Sequence, residues 1–389
     1  MSGSSQPNCQ LRVAVIGGGV IGLACALELR ARGADVAVYE RGTELGGGAT
    51  TRAAGMLAAA FEWGLEQDQL ALAGLARRAG EMWPAYAARV ERLSGGTVEF
   101  SAEGSIVVAR TAAETAWLED LAAACQARDL PVRRLSAAEL KREERAVTGD
   151  VRGALLLPED RQVDPQLLLL RMAAALSRVG VGLKLGRMVE RVGAGAEFLM
   201  PDGERVDRVV LATGVAPAEV KFAGRKGELL ETGLAAVVPV KGQLLALAPV
   251  DGGPKHVVHA RDVYVAPKAR WILVGATSER GKADTDVDRQ AIGALKAKAA
   301  ELIGSLAAAP EVSAWAGVRP GTPDDAPMIG ATAIPGVFAA LGCYRNGILL
   351  APVVAELVAD MVIDGKVSAR AAAFAPLRFD KAAKAPHSR

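Results

Sequence analysis

The chain has 389 residues, of which 51% are hydrophobic and 23% charged, and its 46 basic and 44 acidic residues give a formal net charge of +2. This length predicts two domains, and the balanced charge argues against nucleic acid or an anionic membrane surface as a partner. The four cysteines and three histidines show no metal-ligand or disulfide spacing, so neither a metal site nor a disulfide framework is predicted.

The beginning of the chain alternates strand and helix patterns. Residues 12–16 predict a buried strand, about 19–32 a helix and 35–40 a second strand, which together begin a parallel sheet. The apolar run 11–29 contains four glycines and is not predicted to span a membrane. The first ten residues lack the basic and apolar stretches of a signal peptide, so we expect a cytoplasmic protein.

Helix and strand patterns continue along the rest of the chain. Helices are predicted at 66–92, 112–128, 136–144, 164–179, 287–304 and 347–364. Strands are predicted at 97–100, 105–109, 182–185, 208–214 and 337–341, with several between 236 and 276 and a hairpin around 201–203. Residues 318–330, rich in proline and glycine, predict a loop, and those after about 373 a loose tail. This order predicts a sheet domain assembled from separated segments, with a second domain inserted.

A glycine-rich turn follows the first strand. Residues 17–22 read GGGVIG, which matches GxGxxG at Gly17, Gly19 and Gly22. The first glycine permits a tight turn, the second lets the backbone approach a pyrophosphate, and the third lets the helix pack closely on the strand. Glu40 ends the next strand, where a carboxylate accepts hydrogen bonds from ribose hydroxyls and opposes a 2′-phosphate. The pattern predicts a dinucleotide, FAD or NAD, and argues against NADP.

Several segments resemble, in the same order, the D-amino-acid oxidase superfamily of FAD-dependent oxidoreductases, and within it the glycine oxidases. They are TTRAAGMLAAAFEWG (50–64), PVKGQ (239–243), VYVAP (263–267), LVGAT (273–277), VRPGTPDDAPMIG (318–330) and YRNGILLAP (344–352). The strand RVVLATG (208–214) is also similar to a later strand of FAD-dependent oxidoreductases. The resemblance covers about residues 11–365 and favours FAD over NAD.

The resemblance implies an α/β fold with an α+β second domain. A Rossmann-type FAD-binding domain would consist of residues 11–90, 150–225 and 315–365. An inserted substrate domain, built on a large antiparallel sheet, would consist of residues 91–149 and 226–314. Residues 366–389 would form a C-terminal tail.

The resemblance also implies which residues contact FAD. Val20 and Ile21 would lie by the pyrophosphate, Glu40 and Arg41 by the adenosine ribose, and Val189 by adenine. The other expected contacts are Ala49 and Thr50 at the phosphate turn, Ala54, Gly55 and Met56 along the flavin ring, and Cys343, Tyr344, Arg345, Asn346, Gly347, Ile348 and Leu349 at its pyrimidine end. Relatives with covalent flavin attach it to a cysteine near residues 318–330, which contain none, so we expect non-covalent FAD.

Three residues are the predicted catalytic groups: Arg319, Tyr264 and Arg345. A guanidinium binds a carboxylate through two parallel hydrogen bonds, and Arg319 matches the substrate-carboxylate arginine of the family. Tyr264 resembles the family's active-site tyrosine, and Arg345 precedes a helix whose N-terminus would stabilise a negatively charged reduced flavin. Met56 is expected to contact the substrate too.

The implied reaction is oxidative deamination of a small amino acid by hydride transfer to flavin N5, with O2 as acceptor. The products would be an imine, which gives glyoxylate and ammonia when glycine is oxidised, and H2O2, and the enzyme would supply the thiazole branch of thiamine biosynthesis. No side chain is needed as a base, in keeping with the lack of a well-placed histidine. Ser278 and Cys343 replace a methionine and a histidine of the family pattern, which leaves glycine, sarcosine and small D-amino acids open as substrates. Family members suggest a homotetramer.

Two alternatives stay open beside this hypothesis. A D-amino-acid dehydrogenase that passes electrons to a membrane quinone would need a membrane-binding surface element, and none is evident in the sequence. A flavoprotein that modifies a tRNA wobble base would need a clustered basic surface or a fused methyltransferase domain. A flavin-binding protein without catalytic activity is the remaining interpretation.

Overall fold

A computed structural model of the chain describes residues 10–65 and 70–379. The strands are, in chain order, β1 Arg12–Ile16, β2 Asp35–Tyr39, β3 Met56–Leu57, β4 Ser105–Ala109, β5 Arg133–Leu135, β6 Gly153–Leu157, β7 Arg161–Gln162, β8 Gly182–Lys184, β9 Arg191–Ala194, β10 Phe198–Leu199, β11 Arg205–Val206, β12 Arg208–Leu211, β13 Lys221–Ala223, β14 Leu229–Leu230, β15 Val238–Leu247, β16 Val257–His259, β17 Tyr264–Pro267, β18 Ile272–Gly275, β19 Glu279–Arg280, β20 Glu311–Gly321, β21 Met328–Ala331 and β22 Val337–Leu341. The helices are α1 Val20–Ala31, α2 Ala59–Leu65, α3 Leu70–Ser94, α4 Ala112–Gln126, α5 Ala137–Glu143, α6 Pro165–Arg178, α7 Arg289–Leu302, α8 Gly347–Asp364 and α9 Ala369–Ala372.

The first sheet has six strands in the order β21-β22-β12-β1-β2-β8. β1 pairs in parallel with β12 and β2, whereas β21 runs antiparallel to β22 at the edge. Helices α1, α3 and α8 pack together through Leu27, Trp83 and Val354, each at most 1% exposed. Because a parallel sheet needs cover on its faces, β1 is an almost continuous apolar run. This is the Rossmann-type arrangement that the sequence predicts, which confirms that part of the fold class.

The second sheet has nine strands, eight of them in the order β19-β15-β18-β17-β16-β4-β6-β5, with β20 paired to β15. The pairings are antiparallel except that of β4 with β16. Helix α7 packs on this sheet, where Leu295 and Ala299 join the core formed with Leu245 and Val274. The large antiparallel sheet predicted for the second domain is therefore confirmed.

A third, small sheet was not predicted as a unit. Its strands follow the order β11-β10-β9-β13-β14. In the sequence, β9 to β11 come before β12, and β13 and β14 come after it. Val192, Phe198 and Phe222 pack with Ile16 and Leu211 of the first sheet. This attachment brings the loop before β9 to one end of the first sheet.

Three predictions of secondary structure are wrong. Residues 97–100 form no strand, because the Val98 amide donates to the Glu91 carboxylate at 2.9 Å instead of to a neighbouring strand. Of the predicted loop 318–330, residues 318–321 belong to β20 and residues 328–330 to β21. The chain after 373 is packed as far as it is described: Phe374 is buried and its carbonyl oxygen accepts from the Ile329 amide at 2.8 Å.

The sheet pairings also bear on the division into domains. β6 and β20 lie in the nine-stranded sheet, although the predicted boundaries at 150 and 315 assign them wholly or largely to the FAD-binding domain. We therefore propose that the boundary at 150 lies after β6 and that the boundary at 315 lies after β20. The remaining predicted boundaries are kept as part of the same proposal.

Within residues 10–65 and 70–379, no helix has both the length and the apolar character needed to cross a membrane. The same part of the chain contains no group of three or more His, Cys, Asp or Glu side chains that could hold a metal ion.

Candidate active site

A cavity of about 440 Å³ is lined by both large sheets. It begins where β1, β2 and β12 end, which is where ligands of parallel sheets bind. The predicted site residues that line it are Gly17, Gly19, Val20, Ile21, Glu40, Arg41, Ala49, Thr50, Ala54, Gly55, Met56, Val189, Tyr264, Arg319, Cys343, Tyr344, Arg345, Asn346, Gly347 and Ile348. Gly22 and Leu349 are not in its wall. Leu349 lies behind it, where its carbonyl oxygen accepts from the Trp83 indole at 2.8 Å.

The three glycines of the motif occupy different surroundings. Gly17 has φ +116°, and a Cβ atom on it would lie 2.2 Å from the Ala212 carbonyl oxygen. A Cβ atom on Gly22 would lie 1.9 Å from the Gly17 carbonyl oxygen, so this glycine permits the close packing of α1 on the turn. A Cβ atom on Gly19 would meet nothing nearer than the Thr50 hydroxyl oxygen at 3.5 Å. The space beside Gly19 is therefore open.

Glu40 lies at the end of β2 beside this turn. One of its carboxylate oxygens accepts from the Gly18 amide at 2.7 Å, and the other from the Gly42 amide at 2.8 Å. These bonds fix the carboxylate, and each oxygen keeps a further lone pair for a ligand hydroxyl. Arg41 forms a 3.0 Å ion pair with Glu219 at the same end of the cavity.

The middle of the cavity is shaped by unusual backbone. Gly55 has φ +74°, and a Cβ atom there would lie 2.1 Å from the Val163 carbonyl oxygen. Tyr344 adopts φ +45°, and its amide donates to the Pro320 carbonyl oxygen at 2.9 Å. Left-handed backbone is rare for a side chain of this size and occurs mostly at functional sites. Burial raises the pKa of the Cys343 thiol to about 12, so the thiol stays protonated at neutral pH.

These features fit an FAD molecule. The open space beside Gly19 lies at the N-terminus of α1, where Gly19 is the N-cap residue and has no side chain to cap the helix. Helix N-termini of this kind bind phosphates through their backbone N–H groups. The Thr213 hydroxyl in the cavity wall is buried and has no hydrogen-bond partner among the described residues. Buried polar atoms normally have partners, so a polar ligand is expected here. Gly19, Glu40, Thr50 and Gly55 would hold the dinucleotide.

Arg319 and Tyr264 lie at the far end of the cavity. The Arg319 guanidinium donates to the Thr277 carbonyl oxygen at 3.2 Å and packs against Gly242, where a Cβ atom would lie 2.2 Å from a guanidinium nitrogen. A Cβ atom on Gly275, opposite Tyr264, would lie 2.5 Å from the phenol oxygen. The two glycines therefore make room for the two predicted side chains.

The electrostatic effects on Tyr264 show that Arg319 and Arg345 lie near its phenol. Burial raises the pKa of the Tyr264 phenol to about 12, against the opposing fields of Arg319 and Arg345. Glu62 acts on the same phenol and raises its pKa further. The structure thus brings the three predicted catalytic residues together at one end of the cavity.

Sequence reasoning missed three residues of this end: His259, Phe61 and Glu62. His259 is 1% exposed and is paired in register with Tyr264, and the Phe61 ring stacks on its imidazole at a centroid distance of 3.9 Å. Burial, and then the charge of Arg345, lowers the pKa of His259 to about 3, so the ring is neutral. The expectation that no histidine is well placed is therefore wrong, although this histidine is a very weak base.

Glu62 lies in α2 and lines the cavity. One of its carboxylate oxygens accepts from Arg345 at 2.7 Å, while the other is buried and has no hydrogen-bond partner in the part of the chain described. The segment 50–64 carried the family resemblance, but nothing in its pattern distinguishes Glu62 from a solvated residue of a helix. Ser278 is not in the cavity wall.

Comparisons with known proteins agree with this geometry. The family model named DAO, described as FAD dependent oxidoreductase, matches residues 12–361. The chain is 33% identical to the glycine oxidase of Geobacillus kaustophilus over 358 residues, 90% of this chain and 92% of that protein. It is also 33% identical over 362 residues to the bifunctional ThiO/ThiG protein of a Nostoc species, with 91% of this chain covered but only 53% of that longer protein.

Solved structures give the same result. The crystal structure of glycine oxidase from Geobacillus kaustophilus superposes with a TM-score of 0.84 at 32% identity, covering 95% of this chain and 99% of that one. L-proline dehydrogenase from P. horikoshii shares the fold with a TM-score of 0.82 at 21% identity, with 96% and 98% of the two chains covered. A family match over nearly the whole sequence and a cavity that fits the dinucleotide lead to one conclusion: the chain belongs to the DAO family of FAD-dependent oxidoreductases and oxidises amines or amino acids.

Proposed function

We propose that this enzyme oxidises a small amino acid, with glycine as the preferred substrate and sarcosine and small D-amino acids as further candidates. The observation that carries the proposal is the half-buried Arg319 guanidinium, held at the Thr277 carbonyl oxygen beside Tyr264 in the cavity. A guanidinium in such a place matches a carboxylate in charge and in its planar, two-bond geometry. The similarity to glycine oxidases supports the choice of substrate.

The chain's own residues bind and orient the substrate. Arg319 would hold the carboxylate, and the Tyr264 phenol, protonated below a pKa of about 12, would donate a hydrogen bond to it. The stacked rings of Phe61 and His259 form an uncharged part of the wall near these two residues. Fixing the carboxylate in this way aligns the α-carbon for reaction, which is the main contribution of a protein to such catalysis.

FAD, when bound, supplies the hydride acceptor for the substrate α-hydrogen and the site of reoxidation by O2, with H2O2 as the product. We propose non-covalent binding, since the cysteine in the cavity wall is a protonated, buried thiol. We further propose a cytoplasmic homotetramer that supplies the thiazole branch of thiamine biosynthesis. These proposals rest on the family resemblance.

A substrate panel tests the proposal. The purified holoenzyme is mixed with glycine, sarcosine, D-alanine, L-alanine and L-proline in air, and H2O2 and oxygen uptake are measured. We expect glycine to give the highest kcat/KM, with one H2O2 formed per O2 consumed. Turnover only when a quinone analogue replaces O2 would instead support a dehydrogenase, and no turnover with any amino acid would contradict the proposal.

A further inference from the structure

We propose that Glu62 binds the amino group of the substrate, opposite Arg319, which binds the carboxylate. The inference rests on the proposed function, because it requires an amino-acid substrate. It assigns a role to a residue that lies outside both the FAD-binding motif and the predicted substrate residues. The proposed binding site offers a guanidinium to the carboxylate of an amino acid and a carboxylate oxygen to its amine.

The first argument is an unpartnered oxygen. Glu62 is 8% exposed and lines the cavity, and its Oε1 atom accepts from Arg345 Nη2 at 2.7 Å. Its Oε2 atom is buried and finds no hydrogen-bond donor within the described chain. A buried carboxylate oxygen without a donor is costly, whereas an amine brings the N–H donors that it lacks.

The second argument is another unpartnered polar atom, on His259. His259 also lines the cavity, and its Nε2 atom is buried and has no partner among the residues described. The ring is neutral, so it repels neither an amine nor an ammonium ion. His259 and Glu62 come from different elements, β16 and α2, and Phe61 next to Glu62 stacks on the His259 ring. Two residues that line the same cavity therefore each have a buried polar atom without a partner among the described residues.

The third argument is the balance of charge. The charges of Arg319, Arg345 and Glu62 all act on the Tyr264 phenol, so the three groups lie near it. Glu62 is paired with Arg345, and a bound substrate carboxylate would pair with Arg319 in the same way. The amine can then stay uncharged, which is the form that gives up a hydride most readily. Glu62 can accept a hydrogen bond from that amine without adding an unbalanced charge.

The position of Glu62 is built into the fold. The amide of Ala60, in the first turn of α2, donates to the buried Asp160 carboxylate at 2.9 Å. The Ser105 hydroxyl donates to the other oxygen of Asp160 at 2.6 Å, which ties α2 to β4 of the second sheet. Glu62 therefore lies on an anchored element and not on a free loop.

The experiment compares two ligands of nearly equal shape: glycine, which has the amine, and propionate, which has a methyl group in its place. Kd values are measured anaerobically with holoenzyme, from flavin spectral shifts for propionate and from spectral shifts or the concentration dependence of flavin reduction for glycine. Wild type is compared with Glu62→Gln. Glu144→Gln is the matched control, since Glu144 is a buried carboxylate bound by His256 and does not line the cavity.

We expect Glu62→Gln to raise the Kd of glycine by about 10- to 100-fold, the loss of one charge-assisted hydrogen bond. The Kd of propionate should change by less than about threefold, and Glu144→Gln should alter neither value. Equal weakening of both ligands, or no weakening of glycine, would overturn the assignment. If Glu62→Gln does not retain FAD, the two ligands are compared in wild type alone. Propionate should then bind at least about tenfold more weakly than glycine, and equal Kd values would overturn the assignment.

These outcomes are separate from failure of the proposed function. The Kd measurements need no turnover, so an enzyme that binds glycine through Glu62 without oxidising it would contradict the proposed function only. An enzyme that oxidises glycine with the same Kd in wild type and Glu62→Gln would contradict the Glu62 assignment only.

Discussion

The Thr50 hydroxyl oxygen accepts a hydrogen bond from the Val20 amide at 3.2 Å. This bond joins the segment after β2 to the first residue of α1, and it sets the width of the space beside Gly19. A Cβ atom on Gly19 would meet the same oxygen at 3.5 Å, an ordinary contact. A side chain at position 19 therefore fits the protein without FAD, but it would overlap with bound FAD.

Gly19→Val should weaken FAD binding by roughly 10- to 100-fold, the effect of a few kcal/mol of overlap with the pyrophosphate. The apoprotein should keep its fold, with far-ultraviolet circular dichroism close to that of wild type. Gly22→Val is the contrasting variant, because its side chain would meet the Gly17 carbonyl oxygen at 1.9 Å and should disrupt folding itself. Full flavin occupancy in Gly19→Val, measured from the absorbance ratio, would contradict the assignment.

The flavin should leave the protein intact on denaturation. Cys343 is the predicted FAD contact with a thiol, and a thiol with a pKa of about 12 is a poor nucleophile at neutral pH. We expect acid precipitation of the yellow holoenzyme to release all flavin into the supernatant as FAD. Flavin that stays with the pellet would show a covalent link, which Cys343→Ala would then test.

Tyr264→Phe should lower kcat/KM for glycine by roughly 10- to 100-fold, because one hydrogen bond to a charged carboxylate, about 1.5 to 3 kcal/mol, is lost. Because the phenol pKa is raised to about 12, its ionisation should contribute no limb to the wild-type pH profile between pH 6 and 10. Tyr86→Phe is the matched control, since this phenol is buried away from the cavity without a partner among the described residues. Equal kinetic effects of the two variants would argue that Tyr264 only fills space.

Asp160 predicts a dependence of stability on pH. Burial raises its pKa to about 7, although hydrogen bonds from Ser105 and Ala60 oppose the shift. Between the ordinary pKa of 3.8 and about 7, the folded chain keeps a proton that the unfolded chain has lost, so this group's contribution falls as pH rises, by at most about 1.4 kcal/mol per pH unit. The thermal midpoint of Asp160→Asn should therefore fall less than that of wild type between pH 4.5 and 7. Parallel curves for both proteins would contradict the shifted pKa.

The features that could be predicted from the sequence are those with local causes. The GxGxxG turn and Glu40 each depend on a few neighbouring residues, and the structure has both where the strand and helix pattern puts them, at the ends of β1 and β2. Pro320 and Gly321 predict a loop at Arg319. Within the described parts of the chain β20 pairs only with β15, and a strand with one neighbour tolerates a proline that cannot donate a hydrogen bond.

The residues that could not be predicted depend on long-range packing. Glu62 meets Arg345 across 283 positions of the chain, and His259 reaches the cavity only because β16 lies between β4 and β17. No periodicity or spacing marks either residue, since their neutral or buried state comes from elements far away in sequence. Local patterns thus predicted the cofactor end of the cavity better than the substrate end.

Anaerobic reduction of the flavin by glycine tests the central claim most directly. Glycine should bleach wild-type flavin, and Arg319→Leu should slow the second-order rate by roughly two to four decades, since one partner of a desolvated charge pair is removed. Arg319→Lys should recover little, because an ammonium lacks the planar fork, and FAD content should not change. Ethylamine, which has no carboxylate, should be affected far less. No bleaching of wild type by glycine or any other amino acid, or equal losses for glycine and ethylamine, would contradict a carboxylate-binding amino-acid oxidase.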